Sequence, residues 1–137
     1  MTIQLFRDEL LTALSTITGL NVYKEWPAVI VPPYTVVSIS PTNPISYHVP
    51  AKGNCTYHLM VEVGVMKAST LQAAQEALDP YLEPDGVSSI YAALIAGTYT
   101  QVDVIDVPGI TNYGEVVFSG SQYLGAQFSV DAWRSGL

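Results

Sequence analysis

The sequence predicts an α+β domain: a mainly antiparallel, mixed β-sheet with helices packed on one face. Three observations lead there. The order of patterns is helix, strands, two helices, strands, not the repeated alternation of βαβ units. The longest strand pattern alternates strictly, with Cys55, Tyr57, Leu59, Val61, Val63 and Val65 on one side and Thr56, His58, Met60, Glu62, Gly64 and Met66 on the other. The chain also closes on a hairpin pattern: Val116, Val117 and Phe118, a Ser119-Gly120-Ser121 turn, then alternation from Gln122 to Trp133. In that last strand Leu124, Ala126, Phe128, Val130 and Ala132 share the face expected to be buried.

The elements follow in order. Ile3, Phe6, Leu10, Ala13, Leu14 and Ile17 recur at helical spacing, with Thr2 placed to cap the start and Gly19 to end the run. Leu5 points away from that stripe and is expected to be exposed. Residues 20–25 and 34–40 read as strands, separated by Trp26-Pro27 and Pro32-Pro33, because proline blocks strand continuation. Residues 41–54 hold three prolines and a Lys52-Gly53-Asn54 turn signal, which suit a projecting loop or hairpin or a disordered insertion; because Ile45, Tyr47 and Val49 alternate, a projecting arm is expected there. After the long strand, Ser69 with Gln72 reads as a capping box for a helix carrying Leu71, Ala74, Leu78, Tyr81 and Leu82, which Pro80 should bend or split. Glu83-Pro84-Asp85-Gly86 is a turn, and Ser88 is placed to cap a short helix over 89–96 that Gly97 ends. Residues 98–107 return to strand, and Pro108-Gly109 reads as a loop leading to the hairpin.

At 137 residues the chain suits a single domain, 1–137. Only 12% of residues are charged, about half the usual share, which leaves neutral surface for contact with other proteins. No apolar run reaches the length of a membrane span, and the opening Met1-Thr2-Ile3-Gln4 followed by Asp8 and Glu9 lacks the basic and apolar regions of a signal peptide, so use without export is expected. Cys55 stands alone and forms no internal disulfide. The net charge of −7 sits wholly in residues 68–137, the first 67 being balanced. That half repels nucleic acid, and its aromatic residues, Tyr91, Tyr99, Tyr113, Tyr123 and Trp133, lack the interleaved basic groups of a single-strand binding groove.

Chemistry-bearing patterns are sparse. His58 and Glu62 share a strand face, with His48 in the preceding loop, but no spaced cysteines or second histidine motif supports a metal site. Asp103 and Asp106 fall on opposite faces of a regular strand and make a poor acid–base pair. Neither Cys55 nor the serines of the 119–121 turn shows an activating partner, and no nucleophile elbow or phosphate-cradling glycine motif occurs. No enzyme activity, metal or cofactor is expected.

The arrangement resembles the tail terminator proteins of long-tailed, siphovirus-type bacteriophages. The residues that carry the likeness are the N-terminal helix, the proline-punctuated strands, the long strand, Ala77-Leu78-Asp79-Pro80-Tyr81-Leu82 followed by Ser88-Ser89-Ile90-Tyr91-Ala92-Ala93-Leu94, and the ending Tyr123-Leu124-Gly125-Ala126-Gln127-Phe128-Ser129-Val130. The resemblance implies a structural virion protein at the head–tail junction, assembled in the host cytoplasm. Copies of it close into a six-membered ring that caps the head-proximal end of the tail tube, stops tube growth and joins head-completion proteins. It also implies that DNA passes through the ring without specific binding. On that reading Leu5, Ile45, Tyr47, Val49 and Lys52 are expected at subunit interfaces, and Glu83 and Asp85 along the channel. Another neck or head-completion subunit would share this composition. A small ligand-binding or enzymatic α+β domain would instead need a concave pocket with convergent polar groups.

Overall fold

A computed structural model of the protein describes residues 2–47, 54–66, 70–118 and 120–134. Three helices lie on one face of a six-stranded sheet, as the pattern order predicts. The first helix, α1 (Thr2–Leu14), buries Ile3, Phe6, Leu10, Ala13 and Leu14, and the chain beyond it buries Ile17 before Gly19 turns it with a positive φ of 83°. Strands β1 (Asn21–Tyr23) and β2 (Tyr34–Ile39) pair in parallel, the only parallel step in the sheet as described. β2 then pairs antiparallel with the long strand β4 (Cys55–Met66) across Leu59–Gly64.

A short strand, β3 (Ile45–Tyr47), pairs with Cys55–Tyr57 of β4, on the same side of β4 as β2. Residues 41–44 bridge the two: the Ser40 amide donates to the His58 carbonyl, and the His58 amide donates to the Pro44 carbonyl. The first part of the expected arm is thus a hairpin arm laid along β4, and residues 48–53 lie outside the described residues.

Helix α2 (Leu71–Leu82) covers β4 and the last strand, β6 (Ser121–Arg134). Its cap is Thr70, whose hydroxyl accepts from the Ala73 amide at 3.2 Å; Ser69 lies outside the described residues. The helix is not split at Pro80 but runs on to Leu82, since a proline in the last turn loses one hydrogen bond and the end closes through Glu83, whose amide reaches the Asp79 carbonyl. Helix α3 (Ile90–Ala96) is capped one residue later than expected, by Ser89, which accepts from the Ala92 amide at 3.0 Å and donates to the Glu83 carbonyl. Gly97 ends it with an ordinary negative φ. What this position requires is space, because a Cβ there would stand 2.9 Å from that of Ala13.

Residues 98–103 are not strand. The Glu9 carboxylate of α1 holds this segment as a loop by accepting from the Thr100 amide and hydroxyl and from the Gln101 amide at 2.7, 2.9 and 3.1 Å. Asp103 therefore precedes the strand instead of sharing one with Asp106. Pro108-Gly109 is no loop either: β5 (Val104–Phe118) runs through it, with register shifts at 106/109 and 111/114. The strand order is β1-β2-β4-β6-β5, so fifteen-residue β5 forms one edge and three-residue β1 the other.

The main core lies between sheet and helices. Phe6, Leu10, Leu14, Leu59, Val61, Val63, Leu78, Ile90, Leu94, Phe128 and Val130 meet there, and every alternating position expected on the core faces of β4 and β6 is buried. A second, smaller core covers one end of the opposite face, where Ile30, Tyr34, Val36 and Tyr123 pack with Tyr23, Val116 and Phe118. Trp26 closes it, with ring centroids 5.9 Å from Tyr34 and 5.0 Å from Phe118.

Candidate functional site

Among the described residues, the β5 edge stands out as little covered. An edge strand leaves half of its backbone donors and acceptors without a ladder partner. β5 pairs only with β6, and Val107 is the only one of its residues that is fully buried. Val104, Ile110, Tyr113 and Val117 are exposed along it, Val117 at 65%. The two register shifts bend the strand, the second around Asn112, which holds a left-handed φ of 54° and donates through Nδ2 to Gln127 Oε1 at 2.7 Å.

Helix α2 packs on β4 and β6, and α3 reaches β5 without covering it. An apolar groove of about 320 Å³ remains between α2 and the hairpin, lined by Leu71, Ala74, Tyr113, Tyr123 and Leu124. A second hollow, of about 140 Å³, follows where Leu82, Tyr91, Val107, Ile110 and Phe128 meet. Leu71, expected on the core stripe of α2, is instead exposed at the mouth of the groove.

The helix-free face carries a polar constellation at the end away from the small aromatic core. Ser46 of β3, His58 of β4 and Asp131 of β6 are linked in line: Ser46 Oγ lies 2.8 Å from His58 Nε2, and His58 Nδ1 lies 2.7 Å from Asp131 Oδ1. An ionised carboxylate only accepts, so Nδ1 carries the proton, and in the neutral form of the ring Nε2 is left to accept from the serine hydroxyl. Asn43 Nδ2 donates to the same Oγ at 3.1 Å. Asp106 of β5 stands opposite Asp131 in register, adding a second carboxylate to the row. The linear sequence shows no activating partner for Cys55 or the serines of the 119–121 turn; the fold instead brings a histidine to Ser46. The linked residues lie 12 and 73 positions apart along the chain, beyond the reach of any local motif.

Further along the same face, Glu62 is buried beside Gln127, and burial raises its carboxyl above the ordinary range against the lowering effect of the Gln127 hydrogen bond. His58 and Glu62 do not converge on a metal: the histidine is engaged at both nitrogens, and no cluster of three metal-ligating groups occurs among the described residues. His48 lies outside them.

The expected interface residues are spread over the molecule. Leu5 is exposed, at 48%, on the outer side of α1. Ile45 is half-buried and packs against the main core, so its side chain serves the subunit's own interior. Tyr47, next but one along β3, is 77% exposed. Val49 and Lys52 lie outside the described residues. Glu83 and Asp85 are exposed and, with Glu76 and Asp79 of α2, line a shallow open depression of about 550 Å³. That rim gathers half of the eight carboxylates in residues 68–137.

No protein-family model matches the chain, and no curated protein is similar enough in sequence to count as a relative.

Proposed function

We propose that this protein is a tail terminator of long-tailed bacteriophages, a subunit that forms a six-membered ring with its own copies, caps the head-proximal end of the tail tube and joins it to head-completion proteins. The observation that carries the proposal is the β5 edge: fifteen residues of strand, open along one side and flanked by exposed apolar side chains and an uncovered groove. Such an edge is an aggregation hazard in a free monomer and a template for pairing in an assembly. The opposite edge, β1, is only three residues long, so the two sides of the subunit are unlike. Unlike surfaces associate head to tail, and head-to-tail contacts generate a ring when the rotation closes.

The low charged fraction and the acidic second half favour the same assignment, since a ring around a DNA path needs neutral interfaces and a wall that does not hold phosphates. Inactivating the gene and measuring tails by electron microscopy tests it. Overlong tubes that fail to join heads are expected. Tails of normal length would move the protein to head completion, and unchanged infectious particles would remove it from assembly.

A further inference from the structure

We propose that Ser46 is a nucleophile activated by His58 and Asp131, and that the helix-free face carries a site for acyl transfer from small aryl esters. The contacts of 2.8 and 2.7 Å fall within the range required between nucleophile and base and between base and orienting carboxylate, and they use the correct nitrogens: Nε2 toward the hydroxyl, Nδ1 toward the carboxylate. All three side chains are only partly buried, His58 at 25% and Asp131 at 38% side-chain exposure, so the set lies at the surface of the sheet and not inside the core. β3 is fixed in register to β4, and β4 to β6, which holds the three residues on a rigid sheet.

In the acylation step Ser46 Oγ bonds to the ester carbonyl carbon while its proton passes to His58 Nε2. The carbon–oxygen bond to the aryloxide then breaks, the imidazolium returns the proton to that leaving oxygen, and acyl-Ser46 remains. Water hydrolyses it by the reverse sequence, releasing the carboxylic acid. Asn43 Nδ2, 3.1 Å from Oγ, stands beside the place where the oxyanion forms and has a second N–H to offer it.

The aryl preference follows from the neighbours. Ser46, Thr56 and Trp133 occupy one row across β3, β4 and β6, and Trp133 is 40% exposed. Two strand spacings, about 10 Å, separate the Ser46 and Trp133 backbones, so an aryl group leaving from Ser46 extends over Thr56 toward the indole. The face is open, with no deep acyl pocket, so activated esters are the substrate class.

The test treats the full-length protein with a fluorophosphonate probe, maps the adduct by mass spectrometry, and follows 4-nitrophenyl acetate hydrolysis against pH. Modification at Ser46 is expected, lost in Ser46→Ala, with the labelling rate reduced about 100-fold in His58→Ala. Asp131→Asn is expected to slow labelling comparably, because an amide donating to Nδ1 leaves the proton on Nε2. Asp131→Asn keeps a hydrogen-bonding partner for the ring, so circular dichroism matching the wild type separates lost activation from lost fold. Absence of a Ser46 adduct in the wild-type protein overturns the proposal, as does a Ser46 labelling rate unchanged in both His58→Ala and Asp131→Asn.

Discussion

Gly64 shows how tightly single residues are specified on the helix-free face. It stands opposite Tyr34 on β2 and Gly125 on β6, and a Cβ at Gly64 would come within 2.4 Å of the Tyr34 ring. Tyr34 fills the space over Gly64, while a Cβ at Gly125 would meet the Val63 carbonyl and Val116, and Tyr34 in turn meets Tyr123 edge-on at 5.5 Å. Gly64→Ala is expected to cost about 1–3 kcal/mol by overpacking, read as a lower midpoint in urea unfolding. Glu62 gives the pH dependence. Its folded carboxyl titrates above its unfolded value, so its relative contribution to stability is fully present below the ordinary pKa of 4.5 and is lost as pH rises through the raised one. Glu62→Gln removes that loss while its side-chain oxygen still accepts from Gln127. The variant is expected to melt higher than wild type at pH 7 and to show little of that advantage at pH 4. The sequence placed both residues on the correct face, but nothing in the alternation marked Glu62 as buried. It stands between Val36 of β2 and Gln127 of β6, partners from segments about twenty-five and sixty-five positions away in the chain.

At the scale of elements, legibility follows how local the deciding interaction is. The long strand, the final strand and α1 were readable because each carries its core stripe in its own periodicity, and those stripes are the buried ones. The shifts at caps are small and chemical: several hydroxyl residues in a row, Ser69-Thr70 and Ser88-Ser89, offer more than one candidate, and backbone geometry chooses the second each time. The larger departures have distant causes. Residues 98–103 look like strand until the Glu9 carboxylate, about ninety positions earlier, captures their amides. Pro108 reads as a break, yet it sits on an edge strand, where a missing N–H is tolerated. That same edge supplies the element-scale prediction. Val104→Lys with Val117→Lys places charges on two exposed positions of β5, and the monomer's stability is expected to stay within about 0.5 kcal/mol. Self-association is expected to fall, because each ammonium would have to be desolvated at a neighbour's surface. Analytical ultracentrifugation checks it; a double variant that assembles like wild type places the interface elsewhere.

Over the whole molecule, the feature that composition shows and the fold organises is the charge asymmetry. Residues 68–137 hold the entire excess of −7, and four of its carboxylates, Glu76, Asp79, Glu83 and Asp85, converge around one depression where α2 ends. If this surface lines the DNA path of a ring, its effect is multiplied by every copy, and phosphates passing it meet repeated like charge instead of binding sites. Replacing Glu83 and Asp85 by Lys reverses two of the four charges at exposed turn positions that carry no core side chain, so the subunit is expected to fold and assemble as before. Each lysine gains the ability to neutralise a phosphate and release a condensed counterion, and the gain repeats around the ring. Particles carrying the double variant are therefore expected to retain or stall DNA at low salt and to recover as salt rises. DNA release from purified particles, followed at two ionic strengths, is the measurement. Wild-type release kinetics at both would show that the acidic depression faces away from the DNA, leaving it as solvating surface on the outside of the assembly.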